Sequence, residues 1–182
     1  ILNCEKIDLY IDFEKEFLPS DLKKLKKLIK RRLKKEPIQY IIGKTSFYGR
    51  DFNVDKNVLI PRPETELLID PIKKFFARKS LFFLDIGVGT GCIMISILKE
   101  ISHSRAIGID ISKKTIDNAK INLERFDVSK RARLICRPFQ KIFNQNFRKE
   151  YLMKIKIIFP LLNLMIFNCK FQHSLCQGCG LK

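Results

Sequence analysis

Two stretches of this 182-residue chain place residue types at spacings that could do chemistry. The first is LDIGVGTGC, where Gly87, Gly89 and Gly91 alternate with Val88 and Thr90 directly after an apolar run. A glycine-rich turn between a strand and a helix lets backbone come close to a ligand and aims the first helical N–H groups at its anionic part. Position 92, where a dinucleotide fingerprint carries its last glycine, is Cys92. Asp85 precedes the loop, where a carboxylate repels a pyrophosphate and attracts an ammonium or a sulfonium. Asp110 ends the next apolar run, a position from which a carboxylate accepts ribose hydroxyls. S-adenosylmethionine offers a carboxylate, two cationic centres and a ribose, and so suits all three features. NAD or a flavin suits Asp110 equally, and a purely structural loop is the third reading.

The second stretch is FNCKFQHSLCQGC, with Cys169, His173, Cys176 and Cys179 close together. Cys-x-x-Cys is a usual zinc pair. The intervening chain is short for a tetrahedral knuckle, and no second pair defines a finger. A redox role for the pair lacks the preceding strand and helix of a thioredoxin-like site. Incidental cysteines are the preferred reading, with metal binding left open.

These residues need elements to hold them. Pro19-Ser20-Asp21 predicts a helix start, and the helix runs to about Lys35 before Glu36-Pro37 stops it. Residues 38–60 mix aromatic and β-branched types with Gly43, Gly49 and Asp55-Lys56-Asn57 as turn signals, which predicts a hairpin linker. Pro61 and Pro63 stiffen a loop, and Thr65 is expected to cap a helix reaching about Ala77, with Pro71 a candidate kink. SLFFLDIG and RAIGIDIS read as buried strands around the helix CIMISILKEI; KKTIDNAKINLERF is the next helix and RARLICRPF a third strand. Strands apolar on both faces, alternating with helices, predict an α/β fold with a parallel sheet and right-handed crossovers.

Composition sets the frame for these elements. With 46% hydrophobic residues the chain can bury one good core beside a small accessory module. The net charge of +17 fits an acidic partner only where it is concentrated, and much of it lies in residues 21–35. There Leu22, Leu25, Leu28, Ile29 and Leu33 recur at helical spacing while lysines and arginines fill the other faces. A solvated face is the plainer reading, and a docking face for ribosome, RNA or an acidic protein is the alternative. Cys4, Cys92 and Cys136 are isolated and expected to act as small buried hydrophobes. The opening residues, ILNCEKIDLYIDFEKEF, do not read as a secretory signal, and the most apolar window, Ile155 to Phe167, is shorter than the roughly 20 residues a bilayer needs. A cytoplasmic protein is expected, and the missing initiator methionine leads us to expect a fragment.

RRLKKEPIQYIIGKTSFYGRDFNVDKNVLIPRPETELLID, followed by FLDIGVGTGCIMISILKE and IGIDISKKTIDNAKINLERF, resembles the release-factor glutamine methyltransferases, the HemK/PrmC family. The resemblance covers residues 1 to about 140. It rests on Glu36-Pro37 with Tyr40 and Gly43, and on Pro61-Arg62-Pro63-Glu64-Thr65-Glu66, which set this family apart from other methyltransferases sharing the glycine loop. It implies a Rossmann-like class I fold dependent on S-adenosylmethionine, here with an incomplete sheet. It implies donor contacts from Asp85, Gly87, Val88, Gly89, Thr90, Gly91, Asp110 and the adenine-contacting Phe139. The partner it implies is a peptide chain release factor, methylated on a glutamine amide nitrogen of the Gly-Gly-Gln loop. On this basis residues 1–36 are the remnant of a helical docking domain, 37–66 a hairpin linker and the Pro-Arg-Pro-Glu-Thr loop, and 67–182 an incomplete methyltransferase domain.

An amide nitrogen is a poor nucleophile, and the family orients it with Asn-Pro-Pro-Tyr, a motif that this sequence lacks. The nearest candidate is LNLMIFNCKF, in which Asn168 and the backbone carbonyl of Cys169 could accept the amide hydrogens while Phe171 supplies the ring. FQHSLCQGCGLK is loosely similar to the family segment that follows, and a decayed, deleted or frame-altered C-terminal half would account for both. The alternatives are a nucleic-acid amino-methyltransferase, which shares the donor fold and favours positive charge, and a degenerate product without catalysis.

Overall fold

The computed structural model describes residues 7–11, 18–76, 80–138 and 141. The chain divides into two compact units, Ile1–Gly43 and Lys44–Lys182.

In the first unit, α1 (Asp8–Ile11) is a single turn and α2 spans Pro19–Leu33 with the proline in its first turn, where a missing N–H breaks no helical bond. The expected start is therefore met, and the end falls two residues early. Lys35 turns into the left-handed region at φ 63°, and Glu36 binds back to Arg31 through Nε at 2.8 Å. Arg31 also donates to the carbonyls of Tyr40 and Ile41 at 3.2 and 3.5 Å. These carbonyls end α3 (Ile38–Ile42), whose last turn Gly43 closes at φ 79°. Residues 38–42 are thus helix rather than the start of a hairpin. The Arg31–Glu36 pair, which lies outside any local pattern, fixes the turn that precedes them.

The hairpin proper opens the second unit. β1 (Lys44–Phe47) and β2 (Arg50–Asn53) pair antiparallel about Tyr48-Gly49, both at positive φ, the geometry that suits the twist of a two-residue turn. Phe47 and Phe52 are buried, and Phe52 meets Phe126 at 4.9 Å between ring centroids. Burial of each ring stabilises by about 1.5–3 kcal/mol. A 3₁₀ helix at Pro63–Leu68 leads into α4 (Ile69–Phe76). Thr65 is not a cap: it lies inside the 3₁₀ turn and donates its own N–H to Arg62 O at 3.0 Å. Pro71 falls in the first turn of α4, where its lack of an N–H leaves the helix unbroken.

β3 (Phe82–Ile86), α5 (Cys92–Glu100), β4 (Arg105–Asp110), α6 (Lys113–Arg125) and β5 (Ala132–Cys136) then alternate as predicted. The strands are parallel in the order β3-β4-β5, with Asp85 opposite Gly108 and Asp110 opposite Cys136. One face carries Phe83 and Ala106 in a single core with Met94, Ile95 and Leu98 of α5 and Ile116, Ala119 and Leu123 of α6. Leu84, Ile107 and Ile109 form a second cluster on the other face. Cys92 is buried as expected, whereas Cys136 is exposed at the end of β5. Cys4 lies outside the described residues. Among the described residues no helix is long and apolar enough to cross a membrane.

Candidate functional site

Successive strand residues alternate faces, so Asp85 shares the helix-bearing face with Phe83, and Asp110 shares it with Ala106 and Gly108. The two strand-end acids therefore flank the glycine loop on one side of the sheet. The loop itself is tied to β4: the N–H groups of Gly87 and Val88 donate to Ile109 O at 2.8 and 2.9 Å. Val88 is buried against this strand, and Gly108 is what admits it. A Cβ at Gly108 would come within 2.9 Å of Val88 Cγ2 and of Leu134 Cδ2.

The three loop glycines serve different ends. Gly91, at φ 79°, caps α5 by accepting from Ile95 N–H at 2.8 Å, and a Cβ there would come within 3.2 Å of Ile95 Cδ1. At Gly89 a Cβ would meet only Gly87 O, at 3.8 Å, and at Gly87 nothing within 4 Å among the described residues. Among the described residues, backbone at these two positions thus faces open space that a ligand can approach. α5 contributes its first N–H groups, which have no partner within a helix. One of them, on Cys92, is met by Thr90 Oγ1 at 3.3 Å.

Asp110 reaches across this crevice. Its Oδ1 accepts from Ser112 N–H at 3.0 Å, and its Oδ2 accepts from Gly89 N–H at 3.4 Å. The second contact is long for an N–H···O bond. Ser112 caps α6 by accepting from Thr115 N–H at 3.3 Å, so the Asp110-to-Ser112 turn is held from both ends. Asp85 is half-buried, with Oδ2 shielded from solvent. The structure thus brings together Asp85, Gly87, Val88, Gly89, Thr90, Gly91 and Asp110. Phe139, Asn168, Phe171, Cys169, His173, Cys176 and Cys179 lie outside the described residues.

Asn122, like Gly108, had no reading in the sequence. Asn122 on α6 is fully buried and donates from Nδ2 to Thr90 O at 2.9 Å, directly behind the loop. Its signal was present: Asn118 and Asn122 sit among Thr115, Ala119 and Leu123 on the apolar side of α6, and asparagines in an apolar stripe have buried partners.

Comparison with known proteins places two domains on the chain. The PrmC N-terminal domain matches residues 1–43, and a methyltransferase domain matches residues 77–177. The release factor glutamine methyltransferase of Geobacter sulfurreducens is 39% identical over 68% of this chain and 43% of its own length. That of Thermodesulfovibrio yellowstonii is 40% identical over 67% of this chain and 44% of its own. A bifunctional methyltransferase of Rickettsia bellii is 35% identical over 74% of this chain and 29% of its own. The chain thus spans less than half the length of these relatives. A SAM-dependent methyltransferase of Agrobacterium tumefaciens superposes with a TM-score of 0.50 at 21% identity, covering 58% of this chain and 35% of the other, a likeness of fold.

Proposed function

The chain belongs to the methyltransferase domain family, with a PrmC-type segment ahead of that domain, and from that premise we propose that it methylates the glutamine side-chain amide of peptide chain release factors, with S-adenosylmethionine as donor. The observation that carries this reading is the glycine loop facing open space between Asp85 and Asp110. When bound, the donor supplies a methyl group on a sulfonium. Gly87 and Gly89 let it approach the backbone, and the first N–H groups of α5 receive its carboxylate. Asp110 would accept from its ribose hydroxyls. Asp85 sets a negative charge on the side where the donor is cationic.

The acceptor needs orientation more than it needs a strong base, because its lone pair is delocalised into the carbonyl. Asn168, with the carbonyl of Cys169, is our candidate for receiving the two amide hydrogens, and Phe171 for packing on the amide plane. Domain roles follow the same proposal: residues 1–36 as docking remnant, 37–66 as linker and 67–182 as the methyltransferase body. The nucleic-acid reading draws support from α2, where Lys23, Lys24, Lys26, Lys27, Lys30 and Arg32 are all exposed.

Incubating the chain with methyl-labelled donor, release factor and RNA in parallel tests both. Label is expected on the release factor and is lost when the glutamine of its Gly-Gly-Gln loop is replaced. Label on RNA alone overturns the proposal.

A further inference from the structure

We propose that Asn122 is a positioning residue that clamps the donor loop to the hairpin, so that the loop and β2 hold a single geometry; its consequence for donor affinity rests on the donor reading above. The Asn122 amide is shared between the two. Its Oδ1 accepts from Asn53 N–H at 2.8 Å, and its Nδ2 donates to Asn53 O at 3.1 Å and Thr90 O at 2.9 Å, with Asn118 Oδ1 further off at 3.3 Å. On the edge of β2 away from β1, Asn122 thus imitates a neighbouring strand, satisfying both backbone groups of one residue.

The bond to Thr90 O matters because of the peptide it holds. The Thr90–Gly91 peptide lies next to a glycine at φ 79°, a type of linkage that rotates easily. Its N–H is fixed on Val88 O at 2.8 Å and its C=O on Asn122. Release of the C=O lets the plane turn, and the amides that open α5 turn with it. Thr115 Oγ1 donates to Asn57 O at 3.1 Å and Arg125 Nη1 to Asn53 Oδ1 at 3.1 Å, and both stop at the hairpin side. Aspartate keeps the shape of Asn122 and loses both donors; leucine loses donors and acceptor.

The test compares Asn122→Asp and Asn122→Leu with Thr115→Val in the full chain, by amide hydrogen exchange and by calorimetry with S-adenosylhomocysteine. In either Asn122 variant, exchange over 87–95 and over 50–57 is expected to quicken at least tenfold while β4 keeps its protection. Affinity for S-adenosylhomocysteine is expected to fall at least tenfold. Thr115→Val is expected to loosen only 54–58 and to bind as the unaltered chain does. Loop exchange unchanged in both Asn122 variants overturns the proposal, and so does a loss of protection spread evenly over the sheet with affinity retained. If the unaltered chain binds no S-adenosylhomocysteine, the donor reading fails, and the exchange pattern alone still decides the role of Asn122.

Discussion

Asp110 is where the proposed donor site is most open to a single substitution. Its two oxygens do different jobs: Oδ1 supports the turn into α6 through Ser112 N–H, and Oδ2 extends over the glycine loop. Asp110→Asn keeps an oxygen for Ser112 and removes the charge that strengthens hydrogen bonds from ligand hydroxyls. We expect affinity for S-adenosylhomocysteine, measured by calorimetry, to fall about tenfold or more, equivalent to about 1.4 kcal/mol. The melting temperature should hardly change. Unaltered affinity would remove Asp110 from the site. The residues legible in the sequence were those that carry their meaning locally: glycines in a loop and acids at strand ends. Gly108 and Asn122 were not, because each matters through a contact made by distant chain. Gly108 owes its identity to Val88 and Leu134, and Asn122 owes its own to Thr90 and Asn53.

Between elements, the hairpin, α4 and α5 meet at one acid. Glu100 at the end of α5 pairs with Arg50 of β2 and Lys73 of α4, both at 2.5 Å, and its side chain is 14% exposed. Tyr48 at the hairpin tip donates to Asp70 of α4 at 2.5 Å. Hydrogen bonds from Lys73 and Arg50 hold the Glu100 carboxyl below its usual range. A group depressed on folding adds stability above its unfolded pKa, about 4.3 for glutamate, and that contribution is lost as pH falls through the folded value. Glu100→Gln should therefore lower stability by about 1–2 kcal/mol at pH 7. Chemical unfolding followed across pH should show the gap closing below about pH 4; a gap independent of pH would point to packing instead. The alternation of strand and helix from Phe82 to Cys136 was legible because strand and helix runs differ in period, and β3, α5 and β4 each end at a glycine or an acid. The stretch 38–42 was not, since β-branched residues there are outweighed by Arg31, which binds the carbonyls of Tyr40 and Ile41. Thr65 failed as a cap for a related reason: Pro63 had already begun a tighter turn.

On the scale of the whole molecule, the parallel sheet was legible in the sequence by pattern, whereas the candidate acceptor residues, proposed by resemblance, lie outside the described residues. Composition adds one property that no element shows: 36 basic and 19 acidic residues leave a net charge of +17. Charges of one sign repel one another in any compact state, and salt relieves that repulsion. The opposing effect is the weakening of favourable pairs. The Arg50–Glu100 pair is partly buried and so less screened, while exposed pairs such as Lys113–Asp117, at 2.8 Å, contribute little. We expect repulsion among the excess cations to outweigh what screening takes from these pairs. Raising KCl from about 10 mM to about 150 mM shortens the screening length from about 30 Å to about 8 Å. We expect a gain of about 1 kcal/mol, seen by circular dichroism as a rise in melting temperature of roughly 2–4 °C. Sodium chloride should act equally, because the effect depends on ionic strength. A melting temperature that falls with salt would mean that the favourable pairs outweigh the excess charge.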